Sequence, residues 1–303
     1  MRMLMTWVLM WAWVHSGSAW AVIMRDDVPA SAYAVDDADY PALVDLFEPG
    51  DCVGTLITPE FLLTVAHCAV DMSTDQVLEV GGQTVGVSAI TPHPDYRNFK
   101  HDIALVQLAQ AVDWVTPHGL YTAEQEVGLQ IEIVGRGLHG TGVQGEPGAS
   151  QDTQLRRATN IVTKATEQWL EVHFEAPGEA GITDLEGVGA SGDSGGPAFI
   201  DLDGEQVIVG LNSWGEGPGA IRVGQYGAQD YSTRVSQFIP WIEEVTGVAM
   251  GDSGGEDTGD AVTDVHTPGQ AGSDKGCGCA SATFRPVAVW WAVGVALAWR
   301  RRR

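Results

Sequence analysis

The sequence predicts an all-β domain that ends in one helix, and three patterns support this class. Apolar and polar residues alternate with glycine breaks over residues 77–90, a pattern typical of half-buried strands. Turn residues at 58–60 and 201–204 separate pairs of short apolar and β-branched runs, which indicates β-hairpins. Residues 236–245 instead carry apolar side chains at helical spacings, with Ser236 as the expected N-cap.

The first 21 residues have the layout of a secretory signal peptide. One basic residue, Arg2, precedes an apolar run over residues 3–14, and small residues follow up to Ala19-Trp20-Ala21. The run is too short for a membrane anchor, because the hydrocarbon core of a bilayer is about 30 Å thick. We therefore expect cleavage after Ala21, an exported protein, and a folded domain over residues 22–245.

The composition of the chain indicates which classes of molecule it can bind. The chain of 303 residues has a net charge of −24, which repels nucleic acid and anionic membrane surfaces and favours cationic substrates.

Two of its four cysteines, Cys52 and Cys68, lie before the C-terminal tail. Since exported proteins use such pairs as disulfides, we expect a Cys52–Cys68 bond. We also expect a monomer.

Three short motifs carry residues of catalytic type. Gly192-Asp-Ser194-Gly-Gly-Pro holds a serine hydroxyl in a tight, glycine-flanked turn, which is how a nucleophile is exposed. The backbone N–H groups of Gly192 and Ser194 lie on the same bend, as an oxyanion hole requires. Thr64-Val-Ala-His67-Cys68 supplies a base, and His101-Asp102-Ile-Ala-Leu supplies a carboxylate in front of an apolar strand.

These motifs, in the order His67, Asp102 and Ser194, resemble those of the chymotrypsin/trypsin family of serine peptidases. The resemblance implies two packed antiparallel six-stranded Greek-key barrels with a C-terminal helix and a crossover near residues 113–127. It implies a serine endopeptidase that cleaves polypeptides through an acyl-enzyme, with Ser194 as nucleophile, His67 as general base and Asp102 orienting His67. It implies no cofactor and no metal, and it implies a disulfide between the two cysteines named above.

The expected mature amino terminus, which begins at Val22, resembles the activating terminus of this family. There the new ammonium group folds inward and pairs with the aspartate before the nucleophile, which is Asp193 in this sequence. We therefore expect signal peptidase itself to create the activating terminus. Met24 and Arg25 replace two glycines of the family pattern, so a second cut within residues 36–40 is the alternative.

The resemblance also implies a substrate-binding segment, Ser213-Trp214-Gly215, whose backbone pairs with the substrate chain. The pocket-floor position, six residues before the nucleophile, is Val188 rather than an aspartate, and Ala190 replaces a bracing cysteine. Asp230 falls at a pocket-wall position, where a carboxylate attracts a basic side chain. We expect a small or medium apolar residue before the cleaved bond, with a basic residue as the close alternative.

The C-terminal tail predicts a sorting or anchoring signal. Residues 246–276 are rich in Gly, Asp, Ser and Thr and predict a flexible acidic linker. Residues 277–303 contain Cys277-Gly-Cys279, a short apolar run and four terminal arginines, which is a stop-transfer layout. This layout resembles the surface sorting signals of myxobacteria, which implies a sorting peptidase acting near Cys277 or Cys279 and an enzyme tethered to the cell surface. An uncut transmembrane anchor is the alternative.

Two other functions and one further site are alternatives at this point. A catalytically silent protein of this fold would act as an adhesin or binding module, although the intact motifs argue against it. An esterase uses the same triad, but its Gly-x-Ser-x-Gly elbow joins a strand to a helix, which this β-rich pattern does not support. A weak calcium site is the third alternative, but the spacing favours a solvated acidic loop at Asp71, Asp75 and Glu79.

Overall fold

Sixteen strands, two α-helices and four short 3₁₀ helices form the part of the chain, residues 22–251, that this computed structural model describes. The strands are β1 (Val22–Met24), β2 (Leu43–Asp45), β3 (Val53–Thr58), β4 (Phe61–Thr64), β5 (Val77–Val80), β6 (Gln83–Pro92), β7 (Ala104–Leu108), β8 (Gly119–Leu120), β9 (Gln130–Gly135), β10 (His139–Thr141), β11 (Arg156–Ala165), β12 (Trp169–His173), β13 (Gly187–Val188), β14 (Pro197–Leu202), β15 (Glu205–Glu216) and β16 (Gln229–Arg234). The helices are α1 (Ala66–Ala69) and α2 (Ile239–Thr246), with 3₁₀ turns at Ala30–Ala32, Asp37–Asp39, Glu146–Gly148 and Val235–Phe238.

Six strands form the first barrel-like sheet, in the order β2-β3-β4-β7-β6-β5, with every neighbouring pair antiparallel. Strands β3 and β4 are buried along their whole length, which explains their nearly unbroken apolar and β-branched sequences. Strand β5 alternates strictly, with Leu78 and Val80 buried and the other two residues exposed. Leu56, Leu63 and Leu105 lie in the apolar core of this barrel.

The second barrel-like sheet has six antiparallel strands in the order β14-β9-β11-β12-β16-β15, and a further β14–β15 pairing closes it. Strand β8 adds a short parallel strand beside β15. The β14–β15 hairpin turns at Asp203 and Gly204, whose φ angles of +55° and +91° suit a tight two-residue turn. The predicted fold, with six antiparallel strands in each of two barrels, is therefore confirmed.

The C-terminal helix of the fold is also present, but it begins differently from the prediction. A 3₁₀ turn precedes α2, and Phe238 rather than Ser236 is the N-cap of α2. Ser236 is buried, and its hydroxyl donates a hydrogen bond to Glu126 Oε1 at 2.7 Å. The predicted Ser236 cap is wrong because this buried carboxylate binds the hydroxyl instead.

A small third sheet, in the order β10-β1-β13, fixes the beginning of the described chain. Strand β1 runs parallel to β10 and antiparallel to β13, with Val22 opposite His139 and Ile23 opposite Val188. Val22 and Ile23 are fully buried. The chain from Val22 onward therefore packs against the segment that leads to Ser194.

A buried ion pair joins the crossover between the barrels to the last strand of the second barrel. Glu126 is fully buried, and Arg234 donates from Nε and Nη2 to its two carboxylate oxygens at 2.8 and 2.9 Å. Arg234 also donates to the carbonyl of Thr166 at 2.9 Å. Because a buried charge without its partner is strongly destabilising, the two residues depend on each other.

The predicted signal peptide and tail lie outside the described residues. This applies to residues 1–21, to nearly all of the linker over 246–276, and to residues 277–303 with Cys277 and Cys279. Within residues 22–251, no helix is long and apolar enough to cross a membrane. The domain limits at residues 22 and 245 stay predictions.

Replacing Glu126 by Gln should lower the free energy of unfolding by about 3–5 kcal/mol, because the buried Arg234 guanidinium loses its counter-charge. Glu124→Gln is the matched control, since that carboxylate is 66% exposed and lies 3.8 Å from Arg234. The control should change the free energy of unfolding by less than about 1 kcal/mol. Urea unfolding followed by circular dichroism measures both variants, and equal losses would contradict a structural role for the buried pair.

Candidate active site

The turn that carries Ser194 lies between β13 and β14 and is held by the first barrel. Gly192 and Gly195 adopt φ angles of +98° and +79°, which glycine reaches without strain. The carbonyls of Gly192 and Ser194 accept hydrogen bonds from the backbone N–H groups of Cys52 at 3.1 Å and Val53 at 2.8 Å. No described residue accepts a hydrogen bond from the N–H of Gly192 or Ser194, so both donors are available to a ligand.

The Asp193 side chain is fully buried under this turn. Its Oδ1 accepts a hydrogen bond from the Gly137 N–H at 2.7 Å, and its Oδ2 accepts one from the Ala190 N–H at 3.0 Å. The backbone N–H of Val22 donates to the same carboxyl group. Burial raises the pKa of Asp193 to about 7, because water cannot solvate the charged form. Among residues 22–251, no arginine, lysine or histidine forms an ion pair with it.

The structure brings His67, Asp102 and Ser213 together. The backbone N–H of His67, in α1, donates to Asp102 Oδ1 at 2.8 Å, and its ring Nδ1 lies 2.7 Å from Asp102 Oδ2. The Ser213 hydroxyl, on β15, donates to the same Oδ2 at 2.6 Å. Asp102 is only 1% exposed. Because a carboxylate can only accept, it holds the imidazole with the proton on Nδ1 and leaves Nε2 as the acceptor.

A disulfide between Cys52 and Cys68 braces the segment that carries His67. It joins the residue before β3 to α1, across a sequence separation of 16 residues. The Thr64 hydroxyl adds a hydrogen bond to the Val53 carbonyl at 2.7 Å in the same region. These bonds fix α1 on the first barrel next to the turn that carries Ser194.

One cluster of potential metal ligands occurs in the described part of the chain, and it consists of Cys52, His67 and Cys68. The disulfide leaves neither sulfur as a thiolate, which is the form that binds metal. The carboxylates of the alternative calcium site are exposed and belong to no such cluster: Asp71, Asp75 and Glu79.

His67 and Ser194 line one cleft of about 300 Å³ between the two barrels. The first barrel also contributes Phe99, whose ring meets the His67 ring edge to face at 5.3 Å. The second barrel contributes Ser213-Trp214-Gly215, and Trp214 stacks on Tyr231 with 4.0 Å between ring centroids. The predicted base, nucleophile and substrate-binding segment are thus neighbours in a single cleft.

Of the two predicted specificity residues, Asp230 lines the cleft and Val188 does not. Val188 is buried in the core of the second barrel, where β13 pairs with β1, and its role at the pocket floor stays a prediction. Asp230 Oδ2 accepts a hydrogen bond from the Gly189 N–H at 3.1 Å. Burial raises the pKa of Asp230 to about 7, and the negative charges of Asp193 and Glu146 add to this rise.

Sequence reasoning missed three polar residues of the cleft: Glu146, Ser191 and Asn212. Glu146 begins a 3₁₀ turn, and its Oε1 accepts hydrogen bonds from Ser191 N at 2.6 Å and Ser191 Oγ at 3.0 Å. The sequence of a glycine-rich loop does not indicate where an acidic side chain such as that of Glu146 will lie. Asn212 directly precedes Ser213, and this position beside a motif is the one signal that could have identified it.

Comparison with known proteins agrees with this fold. The family model for trypsin matches residues 32–242. Trypsin Blo t 3 of Blomia tropicalis is 30% identical over 247 residues, which cover 71% of this chain and 86% of that protein. Serine protease SP24D of Anopheles gambiae is 28% identical over 216 residues, covering 63% of this chain and 70% of the relative.

A third relative, serine protease Hayan of Drosophila melanogaster, is 31% identical over 228 residues. The match covers 64% of this chain but only 34% of that protein, so the likeness is confined to one part of the longer relative. The family model, by contrast, spans more than half of this chain. The chain therefore belongs to the trypsin family of serine peptidases.

Proposed function

We propose that this chain is an exported serine endopeptidase in which Ser194 is the nucleophile, His67 the general base and Asp102 the residue that orients His67. One observation carries the proposal: the buried Asp102 carboxylate binds both His67 and Ser213, and these two residues line the same cleft as Ser194. Export, and tethering to the cell surface through residues 277–303 by a sorting peptidase, belong to the proposal and rest on the sequence alone.

The chemistry follows from these groups. His67 Nε2 removes the proton from Ser194 Oγ as the oxygen bonds to the substrate carbonyl carbon, and His67 then gives this proton to the leaving amine. The carbonyl oxygen becomes an oxyanion that accepts hydrogen bonds from the N–H groups of Gly192 and Ser194. Loss of one such donor typically lowers the rate about 10²–10³-fold. Water then attacks the acyl-enzyme with the same base, which releases the second product.

We also propose that cleavage after Ala21 activates the enzyme, because the new Val22 ammonium would pair with Asp193. Two observations support this pairing. The Val22 N–H already donates to the Asp193 carboxyl, which has no cationic partner among the described residues. In addition, Val22 has a φ of +57°, a strained value for a β-branched residue. Cleavage removes this strain, since a free amino terminus has no φ angle.

For specificity we propose a basic residue before the cleaved bond. The apolar residue expected from the sequence depends on Val188, which is not among the residues that line the cleft, whereas Asp230 and Glu146 both line it. No lysine or arginine is among the described residues that line the cleft. A cationic side chain would therefore supply the missing counter-charge for Asp230.

Ser194→Ala should abolish labelling of the purified enzyme by a fluorophosphonate probe, because the reacting hydroxyl is gone. Ser191→Ala is the matched control and should keep its label, since it removes another hydroxyl from the same turn. Gel fluorescence and cleavage of a peptide library measure the two effects. An unlabelled parent chain that is folded and begins at Val22 would favour a binding module instead.

Substrate preference should depend on pH through Asp230. Because burial raises the pKa of Asp230 to about 7, the carboxyl is neutral below that pH and attracts a cation only above it. The ratio of kcat/KM for an Arg peptide to that for a Leu peptide should therefore rise through about pH 7 and then level off. Effects of pH on the bond-breaking steps are common to both peptides and cancel in this ratio. A ratio that stays constant from about pH 5 to about pH 9 would contradict the assignment.

A further inference from the structure

Asn212 is a buried polar residue whose side chain has no partner in the described structure. It lies on β15, is 3% exposed, and lines the cleft. Its backbone is fixed, because its N–H donates to the Gly196 carbonyl at 2.9 Å and its own carbonyl accepts from the Gly195 N–H at 2.8 Å. Its side-chain Oδ1 and Nδ2, however, make no hydrogen bond to any described residue.

An unpartnered buried carboxamide disfavours folding, because its two polar atoms lose their hydrogen bonds to water. A β-branched apolar residue would suit this buried strand position without that loss. Buried groups of this kind call for an explanation, and a ligand that completes their hydrogen bonds is one. The position of Asn212 on the cleft wall points to the substrate as that ligand.

The Asn212 carboxamide and the Asp230 carboxylate face the same point. A Cβ atom placed on Gly189 would lie 3.2 Å from Asp230 Oδ2 and 3.5 Å from Asn212 Oδ1. Gly189 has no side chain, so this space between the two oxygens stays open. The cleft thus offers two acceptors side by side, one charged and one neutral.

We infer that Asn212 is a specificity-determining residue, and that its carboxamide oxygen and the Asp230 carboxylate together bind the guanidinium group of an arginine before the cleaved bond. This inference rests on the proposed peptidase function. A guanidinium is planar and carries five N–H donors in a fixed fork, so it can donate to both oxygens at once.

Lysine and glutamine fit this arrangement less well. The lysine ammonium is a compact, strongly hydrated point charge. It can pair with the Asp230 carboxylate, but it lacks the planar fork of donors that would also bind the Asn212 carboxamide. A glutamine side chain hydrogen-bonds to an amide but brings no charge to the two carboxylates of the cleft, Asp230 and Glu146. The predicted order of preference is therefore arginine over lysine, and lysine over glutamine.

The test compares kcat/KM for peptides that differ only in Arg, Lys or Gln before the cleaved bond. Asn212→Leu keeps the approximate shape and removes both polar atoms. The Arg-to-Lys ratio should then fall about 10- to 100-fold, the range expected for a hydrogen bond to a charged group. The melting temperature should rise, because the variant no longer buries an unpartnered carboxamide.

Thr55→Val is the matched control. Thr55 lies on β3 in the first barrel, is fully buried, and also has an unpartnered Oγ1 atom. This variant should also raise the melting temperature, but it should leave the Arg-to-Lys ratio unchanged. If the Leu side chain prevents folding, the Arg-to-Lys ratio is measured with Asn212→Val instead.

Fluorophosphonate labelling separates failure of the inference from failure of the proposed function. If the parent enzyme is labelled but prefers glutamine, or if Asn212→Leu keeps the parent Arg-to-Lys ratio, the inference is overturned. If the parent is not labelled, calorimetry with n-butylguanidinium and n-butylammonium tests the site without catalysis. Tighter guanidinium binding by the parent that is lost in Asn212→Leu supports the inference, and equal or absent binding overturns it.

Discussion

The buried Asp193 carboxyl group connects three parts of the chain that are distant in sequence. Its hydrogen-bond donors are the Val22 N–H at the start of β1, the Gly137 N–H after β9, and the Ala190 N–H in the turn that carries Ser194. Because the group is shielded from water, it needs these donors, and they in turn fix the backbone on either side of it. The orientation of the Ser194 turn therefore depends on this one buried side chain, as does the position of Val22.

The two barrels supply complementary parts of the site. The first barrel holds His67 and Asp102, and the second barrel supplies the Ser213 hydroxyl to the Asp102 carboxylate and the Thr233 hydroxyl to the Asp102 carbonyl at 2.8 Å. Burying so many polar groups disfavours folding unless each is paired. Most are paired within the protein, whereas the cleft retains Asp230 and Asn212 with capacity for a ligand. The unpartnered Asn212 carboxamide lowers stability, and it lies in the proposed substrate pocket.

The sequence motifs predicted the parts of the structure that depend on local patterns. The half-buried strands over residues 77–90, the hairpins that join β3 to β4 and β14 to β15, and the cysteine pair all correspond to what the structure contains. Contacts between distant segments were not predictable in this way. Ser236 has the residue type of a helix cap, but Glu126, 110 positions away, binds its hydroxyl. Val188 is buried in the core because β13 pairs with β1, and the local sequence does not indicate this pairing. Glu146 lies in the cleft because of the path of its loop, and loops have no periodic sequence pattern from which that path could be predicted.

The most direct test of this account compares two chains that differ by one residue, one beginning at Val22 and one beginning at Ala21. The measurement is the rate of fluorophosphonate labelling of each purified chain, with the amino terminus verified by mass spectrometry. If a free Val22 ammonium paired with Asp193 organises the site, only the Val22 chain reacts rapidly. Its reactivity should fall at alkaline pH, because pairing raises the ammonium pKa above the unpaired value of about 7.7–8.0 and the pair is lost only above that raised pKa. Equal labelling rates for the two chains would contradict the account.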